Sequence, residues 1–456
     1  MIAQVVRRWM RLEAGRDREP LGVVLHTGCL NYEVEQLRQL ARMGCRLILP
    51  DNVYWEIQLL TGSRTYYGTR AKALLSGDPE VIRAPWDLEQ LYLSGGDGLS
   101  RGELYQGRLL FLFGDLNKQD EFLDNVCELD NCHILIHSDW NFVKMPVICN
   151  LNSFRGFSYR RTIPLSRSVS MPEVSRLTDI RCVSPLGTSR IQGYEFGRTN
   201  LCGSYSQIYT HRDYAGKYFK IYRKAAQTGT AGRKLEAMVR YVQESPITCA
   251  GTPQMLLYAG EEEILGYCMP VLPGVKLAEY SENEWEGKKP EQIGLVLENL
   301  MRLLLELHLR GILVNDLSYN NILVSRDDMV YIVDFDTVQF RGYPGGAITE
   351  LYRHPQIRRG GEWEDLRQPR HEYFALAVLL FQCLMYDDPL YGNCATWSSC
   401  KFELGDKTEY DTNVNRNVWE TWNERSPVLR RMFTEVFQFR RDYSIGAWFR
   451  GLSENE

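Results

Sequence analysis

The sequence predicts an α/β domain over residues 1–150 and an α+β domain of two lobes over 191–456, joined by a connector at 151–190. Three observations predict this. Before residue 150, short apolar strand-like runs alternate with segments of helical period. Between 150 and 190 the periodicity fades into a stretch rich in Arg, Ser and Pro. From 191 a strand-rich lobe runs to about 273, and a helix-rich lobe from about 274 follows it.

Composition bounds the function classes. The chain has 456 residues, 44% hydrophobic and 24% charged, a globular balance long enough for two or three domains. Its net charge of −5 supplies no global field toward nucleic acid or a membrane surface. The 12 cysteines include no C-x-x-C pair, so neither a zinc site nor a disulfide framework is indicated, and reduced thiols are expected. The N-terminus turns charged within a few residues and lacks a signal-peptide core. The longest apolar run, "FALAVLLFQCLM" (374–385), is too short for a bilayer and reads as a buried helix. A cytoplasmic protein with no membrane partner is expected.

In chain order, "LGVVLHTG", "CRLILP" and "CHILIHSD" read as buried strands, and "YEVEQLRQLARMG" and "DEFLDNVCEL" as helices. Their alternation predicts a small parallel sheet layer. In the second domain, "SYSQIYTHRDYAGKYFKIYRK" reads as an antiparallel hairpin turning at "RDYAG". "GRKLEAMVRYVQE" has helical spacing, and "PEQIGLVLENLMRLLLELHLRG" is a long amphipathic helix stopped by Gly311.

The chemistry concentrates in "ILVNDLSYNNILVSRDDMVYIVDFD" (312–336), where Asp316, Asn321 and Asp334 sit on a polar loop and after a strand. A hard cation such as Mg²⁺ takes one or two oxygen ligands from protein and the rest from phosphates and water. Asn321 and Asp334 suit that task. Asp316 is then left to orient a hydroxyl or accept its proton.

These residues resemble the protein kinase catalytic centre. "HLRGILVNDLSYNNILV" is similar to H-x-x-G-I-x-H-R-D-x-x-x-x-N, and "VDFD" stands where D-F-G belongs, eighteen residues on from Asp316 to Asp334. "KYFKIYRK" resembles the V-A-I-K strand, which makes Lys220 the phosphate-binding lysine and Glu236 the candidate for its helix-borne partner. "LYRHPQI" resembles A-P-E, "HEYFALAVLLFQCLM" the helix that buttresses the catalytic loop, and "RRDYSIGAW" the late arginine motif. The resemblance covers about 190–450 and looks closest to an atypical bacterial branch with G-D-L-N-x-x-N-I-L-V, D-x-D-S-F-Q and D-x-F-A-L-A-V, matched here by "NDLSYNNILV", "DFDTVQF" and "EYFALAV". It implies ATP and Mg²⁺ as cofactors and a Ser or Thr of a protein as substrate. It also implies von Willebrand-type or phosphatase-like partners in stress or defence systems.

The chain departs from that pattern in places. Val314 and Asn315 replace the His and Arg before the Asp, and Ser318 replaces the Lys two residues after it. Of three loop glycines only Gly203 remains, in "LCGSYSQIY". Glu372 stands where an Asp braces the catalytic loop.

The first domain, "VVLHTGCLN" through "ILIHSDWNFV", resembles a PIN-type nuclease domain over about 20–150. "LPDNVYWE" supplies Glu56, "IHSDWNF" supplies Asp139, and "KQDEFLDNVCEL" offers Asp120 or Asp124. Clustered carboxylates of this kind hold Mg²⁺ or Mn²⁺ against a phosphodiester. The leading aspartate, however, is His26 here, a poorer ligand for a hard cation. The resemblance therefore implies a docking or RNA-binding module.

Three readings follow: an ATP- and Mg²⁺-dependent serine/threonine protein kinase, a pseudokinase scaffold with an inactive PIN-like docking domain, or a PIN-type RNase effector regulated by the kinase domain. One prediction follows from residue 315. Asparagine carries no charge to pair with a phosphate on the segment "RGYPGGAITELYRHP", so segment phosphorylation is not the switch. Phosphatase treatment of the purified protein is expected to leave phosphoryl transfer to a generic substrate unchanged. A collapse of transfer, with folding preserved, would contradict this.

Overall fold

The structure, a computed structural model, describes residues 2–12, 21–88, 108–115, 132–140, 143–150, 173–202, 206–222, 230–260, 263–283, 290–346, 348–357, 367–385, 421–439 and 441–454. The chain forms two compact units, and neither is one continuous segment. The first unites Met1–Ser158, Leu297–Leu313 and Gln368–Glu456; the second unites Tyr159–Val296 and Val314–Arg367. No helix among the described residues is long and apolar enough to cross a membrane.

The first unit contains the expected parallel layer. Strands β1 (Leu21–Leu25), β2 (Arg46–Leu49), β3 (Val81–Arg83), β4 (Arg108–Asp115), β5 (Cys132–Trp140) and β6 (Val143–Asn150) form one sheet in the order β3-β2-β1-β4-β5-β6. All neighbours are parallel except β5 and β6. Every residue of β1 is buried, as a central parallel strand covered on both faces requires. Among the described residues, helices α1 (Ile2–Leu12), α2 (Val34–Arg42), α3 (Asp51–Leu60) and α4 (Tyr66–Leu75) belong to this part, with Ile2, Ala3 and Val6 forming the buried side of α1. The expected helix "DEFLDNVCEL" lies outside the described residues.

Helices from far along the chain pack against this layer. The helix Pro290–Leu309 ends with the Leu309 carbonyl exposed to no further helical turn. Asn31 Nδ2 donates to it at 3.0 Å and the Tyr67 hydroxyl at 3.3 Å. Arg302 Nε donates to the Leu59 carbonyl, 3.1 Å, near the end of α3. Gly311, at φ +73°, then takes the left-handed turn that stops the helix. The helix Pro369–Met385 is buried along its apolar run. Glu372, expected to brace the catalytic loop, contacts His308 Nε2 at 2.8 Å.

The C-terminal helix Ile445–Ser453 lies on α3. Arg450 Nη1 donates to Asp51 at 2.6 Å and to Asp87 at 3.2 Å, and Asn52 Nδ2 donates to Ser444 Oγ at 3.3 Å. The contact is close enough to require glycine: a Cβ at Gly446 would lie 2.0 Å from the Asn52 carbonyl oxygen.

The second unit is built on an antiparallel sheet. Strands β7 (Ile180–Ser184), β8 (Gly187–Ile191), β9 (Phe196–Cys202), β10 (Ser206–His211), β11 (Lys217–Tyr222), β12 (Met255–Ala259) and β13 (Glu263–Pro270) lie in the order β8-β7-β12-β13-β11-β10-β9. The expected hairpin is β10–β11, and the expected helix is α5 (Thr230–Glu244). The connector at 151–190 is corrected at its C-terminal end, because β7 and most of β8 fall inside it. Ile180, Cys182 and Ile191 join the core with Phe219, Ile221 and Leu257, and the period-2 alternation of so short a strand pair was hidden among Arg and Ser. Residues 151–172 lie outside the described ones. Cys29, Cys45, Cys182, Cys268 and Cys383 are buried free thiols.

A Gly446→Ala substitution is expected to destabilise the first unit by about 2 kcal/mol, since a backbone carbonyl cannot yield to the added methyl. Urea melts of wild type and variant measure it. Equal midpoints would show that the helix can shift freely on α3.

Candidate functional site

All the residues expected to carry phosphoryl chemistry, Gly203 aside, are described within the second unit; Gly203 lies outside the described residues. Strand β11 sets Lys220 opposite Tyr267 of β13. Phe219 and Ile221 point into the core, so Lys220 and Tyr222 share the other face. Lys220 is 4% exposed. Gly266 permits the close strand approach, as a Cβ there would lie 2.0 Å from the Lys220 carbonyl oxygen.

The loop residues are assembled by a short hairpin. Strands Ile322–Val324 and Val330–Ile332 pair antiparallel, with Ile322 opposite Ile332. The Val333 amide donates to the Asn321 carbonyl at 2.9 Å, which brings the residues before and after the hairpin side by side. Asp334 adopts φ +57°, a left-handed conformation that Asp tolerates better than most residues, and its carbonyl accepts from Thr337 N and Oγ1 at 3.1 and 2.8 Å.

Asp316 is held on both carboxylate oxygens. Thr349 N donates to Oδ1 at 2.7 Å, and Asn321 Nδ2 donates to Oδ2 at 2.8 Å and to the Asp316 carbonyl at 2.9 Å. Burial raises the Asp316 pKa, opposed by the Thr349 and Asn321 hydrogen bonds and assisted by the Asp334 charge. A carboxylate with raised proton affinity beside a metal-suited pair is apt to accept a proton. Asn315, at φ +65°, donates from Nδ2 to the Gly346 carbonyl at 2.8 Å. It therefore grips the following segment through a neutral amide.

Oxygen donors for a hard cation remain. Asn321 spends its amide nitrogen on Asp316, which leaves its Oδ1, and Asp334 engages Lys220 through Oδ1 alone, which leaves Oδ2. Neither oxygen accepts a hydrogen bond among the described residues. An amide oxygen and a carboxylate oxygen are what Mg²⁺ takes from protein, so the residues fit that ion.

The expected Lys220–Glu236 pair is not formed. Lys220 Nζ contacts Asp336 Oδ1 at 2.6 Å and Asp334 Oδ1 at 2.9 Å, while Glu236 accepts from the Tyr258 hydroxyl at 3.2 Å. Helix α5 instead turns Lys234 inward, where it is buried and donates to the carbonyls of Asp336, 3.0 Å, and Pro344, 3.1 Å. Burial alone would lower the Lys220 pKa, but the Asp336 and Asp334 carboxylates overturn this and hold it above the usual lysine range. Burial lowers that of Lys234 to about 8, against the pull of Asp336. Asp336, Lys234, Tyr222 and Tyr267 were missed in the sequence. The signal available was a second acid in "DFD" two residues past Asp334, in a chain stretch too apolar to leave it solvated.

Of the carboxylates expected in the N-terminal part, Glu56 alone has a described side chain. Glu56 is buried, accepting from the Thr27 hydroxyl and the Gly446 amide. Its cover is the C-terminal helix: a Cβ on Gly446 would meet Glu56 Cγ at 2.8 Å. His26 Nδ1 accepts from the Gly28 amide at 3.1 Å, capping a short 3-10 turn. Asp139 lies on β5, and Asp120 and Asp124 lie outside the described residues.

No family model matches the chain. It is 22% identical over 260 residues to the protein kinase YegI of Escherichia coli (strain K12), a match covering 54% of this chain and 39% of that protein. The chain thus matches about two fifths of that relative's length. The mixed α/β architecture is compatible with a kinase-like fold.

Burial raises the Glu56 pKa from the ordinary 4.5 to about 7, against the Thr27 and Gly446 hydrogen bonds and the His308 charge. Between those values the folded protein binds a proton that the unfolded chain does not, so stability falls as pH rises from 4.5 to 7 and stays lower above. The expected stability of wild type relative to Glu56→Gln drops by roughly 3 kcal/mol between pH 4 and pH 8. Urea melts at the two pH values read it. A difference that does not change with pH would place the Glu56 carboxyl in contact with water.

Proposed function

We propose that the chain is an ATP- and Mg²⁺-dependent protein kinase that phosphorylates Ser or Thr. The observation that carries this reading is the convergence of Asp316, Asn321 and Asp334 on one loop and hairpin, with Lys220 ion-paired to the same Asp334. The similarity to a protein named as a kinase supports it.

When bound, Mg²⁺ and ATP supply the phosphoryl group and neutralise its charge. Asn321 Oδ1 and Asp334 Oδ2 are the atoms that would hold the ion. The Lys220 ammonium binds phosphate oxygens, a task that suits a compact point charge. Asp316 orients the substrate hydroxyl and takes its proton as the new O–P bond forms and the bond to the leaving ADP breaks. The Thr349 amide on Oδ1 fixes the plane of that carboxylate, and the hydroxyl enters beside it. Asn315 holds the segment that carries Thr349, replacing a charge-dependent latch by a neutral one.

The N-terminal part is read as a docking module and not as a nuclease. The burial of Glu56 under the C-terminal helix supports this, because a carboxylate sealed from water cannot present oxygens to a hydrated cation.

Asp334→Asn removes charge at constant volume and is expected to lower Mg²⁺-dependent transfer of labelled phosphate by about a hundredfold or more, with an unchanged circular dichroism spectrum. Turnover like wild type would refute the metal assignment. A wild type that binds ATP yet transfers nothing would favour a pseudokinase scaffold.

A further inference from the structure

We infer that Asp336, and no acid of helix α5, is the residue that positions Lys220 for nucleotide phosphates. The inference rests on the kinase reading above and deepens it. Lys220 stands between two acids, and their surroundings differ. Asp334 has a side chain 43% exposed and contacts Lys220 at 2.9 Å; Asp336 has one only 12% exposed and contacts it at 2.6 Å. Asp334 keeps a free oxygen. Asp336 does not: Oδ1 accepts from Lys220 and from the Tyr267 hydroxyl at 3.1 Å, and Oδ2 accepts from the Tyr222 hydroxyl at 2.9 Å.

That saturation separates their roles. A largely buried carboxylate engaged on both oxygens by an ammonium and two phenols is poorly placed to take a hydrated cation, so Asp336 is unsuited to that role. Asp334 can turn to a cation while Lys220 keeps its shorter contact to Asp336. The three donors reach Asp336 because they share one face of the sheet: Lys220 and Tyr222 are two apart on β11, and Tyr267 lies directly across from Lys220.

Helix α5 is joined to the same point by opposite chemistry. Where an acid on this helix was expected to meet Lys220, the helix sends in a second cation, Lys234. Lys234 binds the Asp336 backbone carbonyl and the Pro344 carbonyl in the segment beyond. The acid has in effect moved from the helix to the loop, and the helix holds the loop that holds the lysine. Asp336 is thus a positioning residue, acting through Lys220.

The test uses the full chain and an acyl-phosphate derivative of ATP, which acylates a lysine amine lying beside bound phosphates. Labelling of Lys220 is followed by peptide mass spectrometry, and affinity for a fluorescent ATP analogue is measured in EDTA. Asp336→Asn is expected to weaken binding about tenfold or more and to slow Lys220 labelling in parallel, the scale of losing a charged hydrogen bond. With Mg²⁺ present, its KM for ATP rises by a larger factor than kcat falls. Glu236→Gln is expected to stay within about twofold of wild type, because Glu236 bonds Tyr258 while Lys220 pairs with Asp334 and Asp336. Should Asp336→Asn fail to fold, the double variant Tyr222→Phe, Tyr267→Phe keeps the charge but loosens it, and is expected to cost about threefold in affinity. Either a larger loss for Glu236→Gln than for Asp336→Asn, or wild-type labelling in both the Asn and the double Phe variants, would overturn the inference while leaving the nucleotide site standing. A wild type that neither binds the analogue nor takes label at Lys220 would overturn the kinase reading and this inference together.

Discussion

The contact between the Lys220 ammonium and the Asp336 carboxylate, 2.6 Å and nearly out of water, sets the geometry of the second unit around the candidate site. An isolated charge at either position would be driven to its neutral form by burial. Together they remain ionised, because each is the other's counter-charge and two tyrosine hydroxyls complete the carboxylate's shell. Removing one partner of such a pair strands the other, at a cost of about 3–5 kcal/mol. The strand register, the turn after the hairpin and the inward Lys234 are all consistent with that one requirement. Two adjacent strands that each supply a tyrosine beside the lysine solvate the acid between them.

The same turn serves the chemistry. Asp334 and Asp336 flank Phe335, which is buried, and with the left-handed φ at Asp334 the two carboxylates reach the same lysine from positions two apart in a tight turn. One acid is sealed and the other half open. The difference in environment, not in residue type, assigns one to holding the lysine and leaves the other for a metal.

The first unit depends on close backbone approach. A helix end must find donors for its last carbonyls, and Asn31 and Tyr67 provide them for Leu309. Gly446 lets the C-terminal helix settle on α3, and the ion pairs of Arg450 with Asp51 and Asp87 orient it. Glu56 is caught beneath. A carboxylate that the sequence offered to a metal is thereby turned into a buried acceptor for Thr27 and Gly446. Segments remote in the chain make one hydrophobic unit, and that unit decides the fate of a polar side chain.

By itself the sequence determined the parts that local physics controls. The parallel strands of the N-terminal part, the β10–β11 hairpin, the helix stopped at Gly311 and the buried run at 374–385 follow from periodicity, turn residues and apolar content. The spacing of Asp316, Asn321 and Asp334 was legible because a loop and a short hairpin are themselves local, and pairing Ile322 with Ile332 is enough to bring them together. The strands β7 and β8 were not legible, since five-residue strands with one or two inward apolar residues resemble a connector. Only the tertiary structure decided which acid meets Lys220. Glu236 and Lys234 stand two residues apart on one helix, about 200° around its axis, and which of them faces inward depends on how the helix is rotated against a sheet drawn from elsewhere in the chain. That rotation is set by packing, and it selected the lysine, which made Asp336 the carboxylate that the buried ammonium requires.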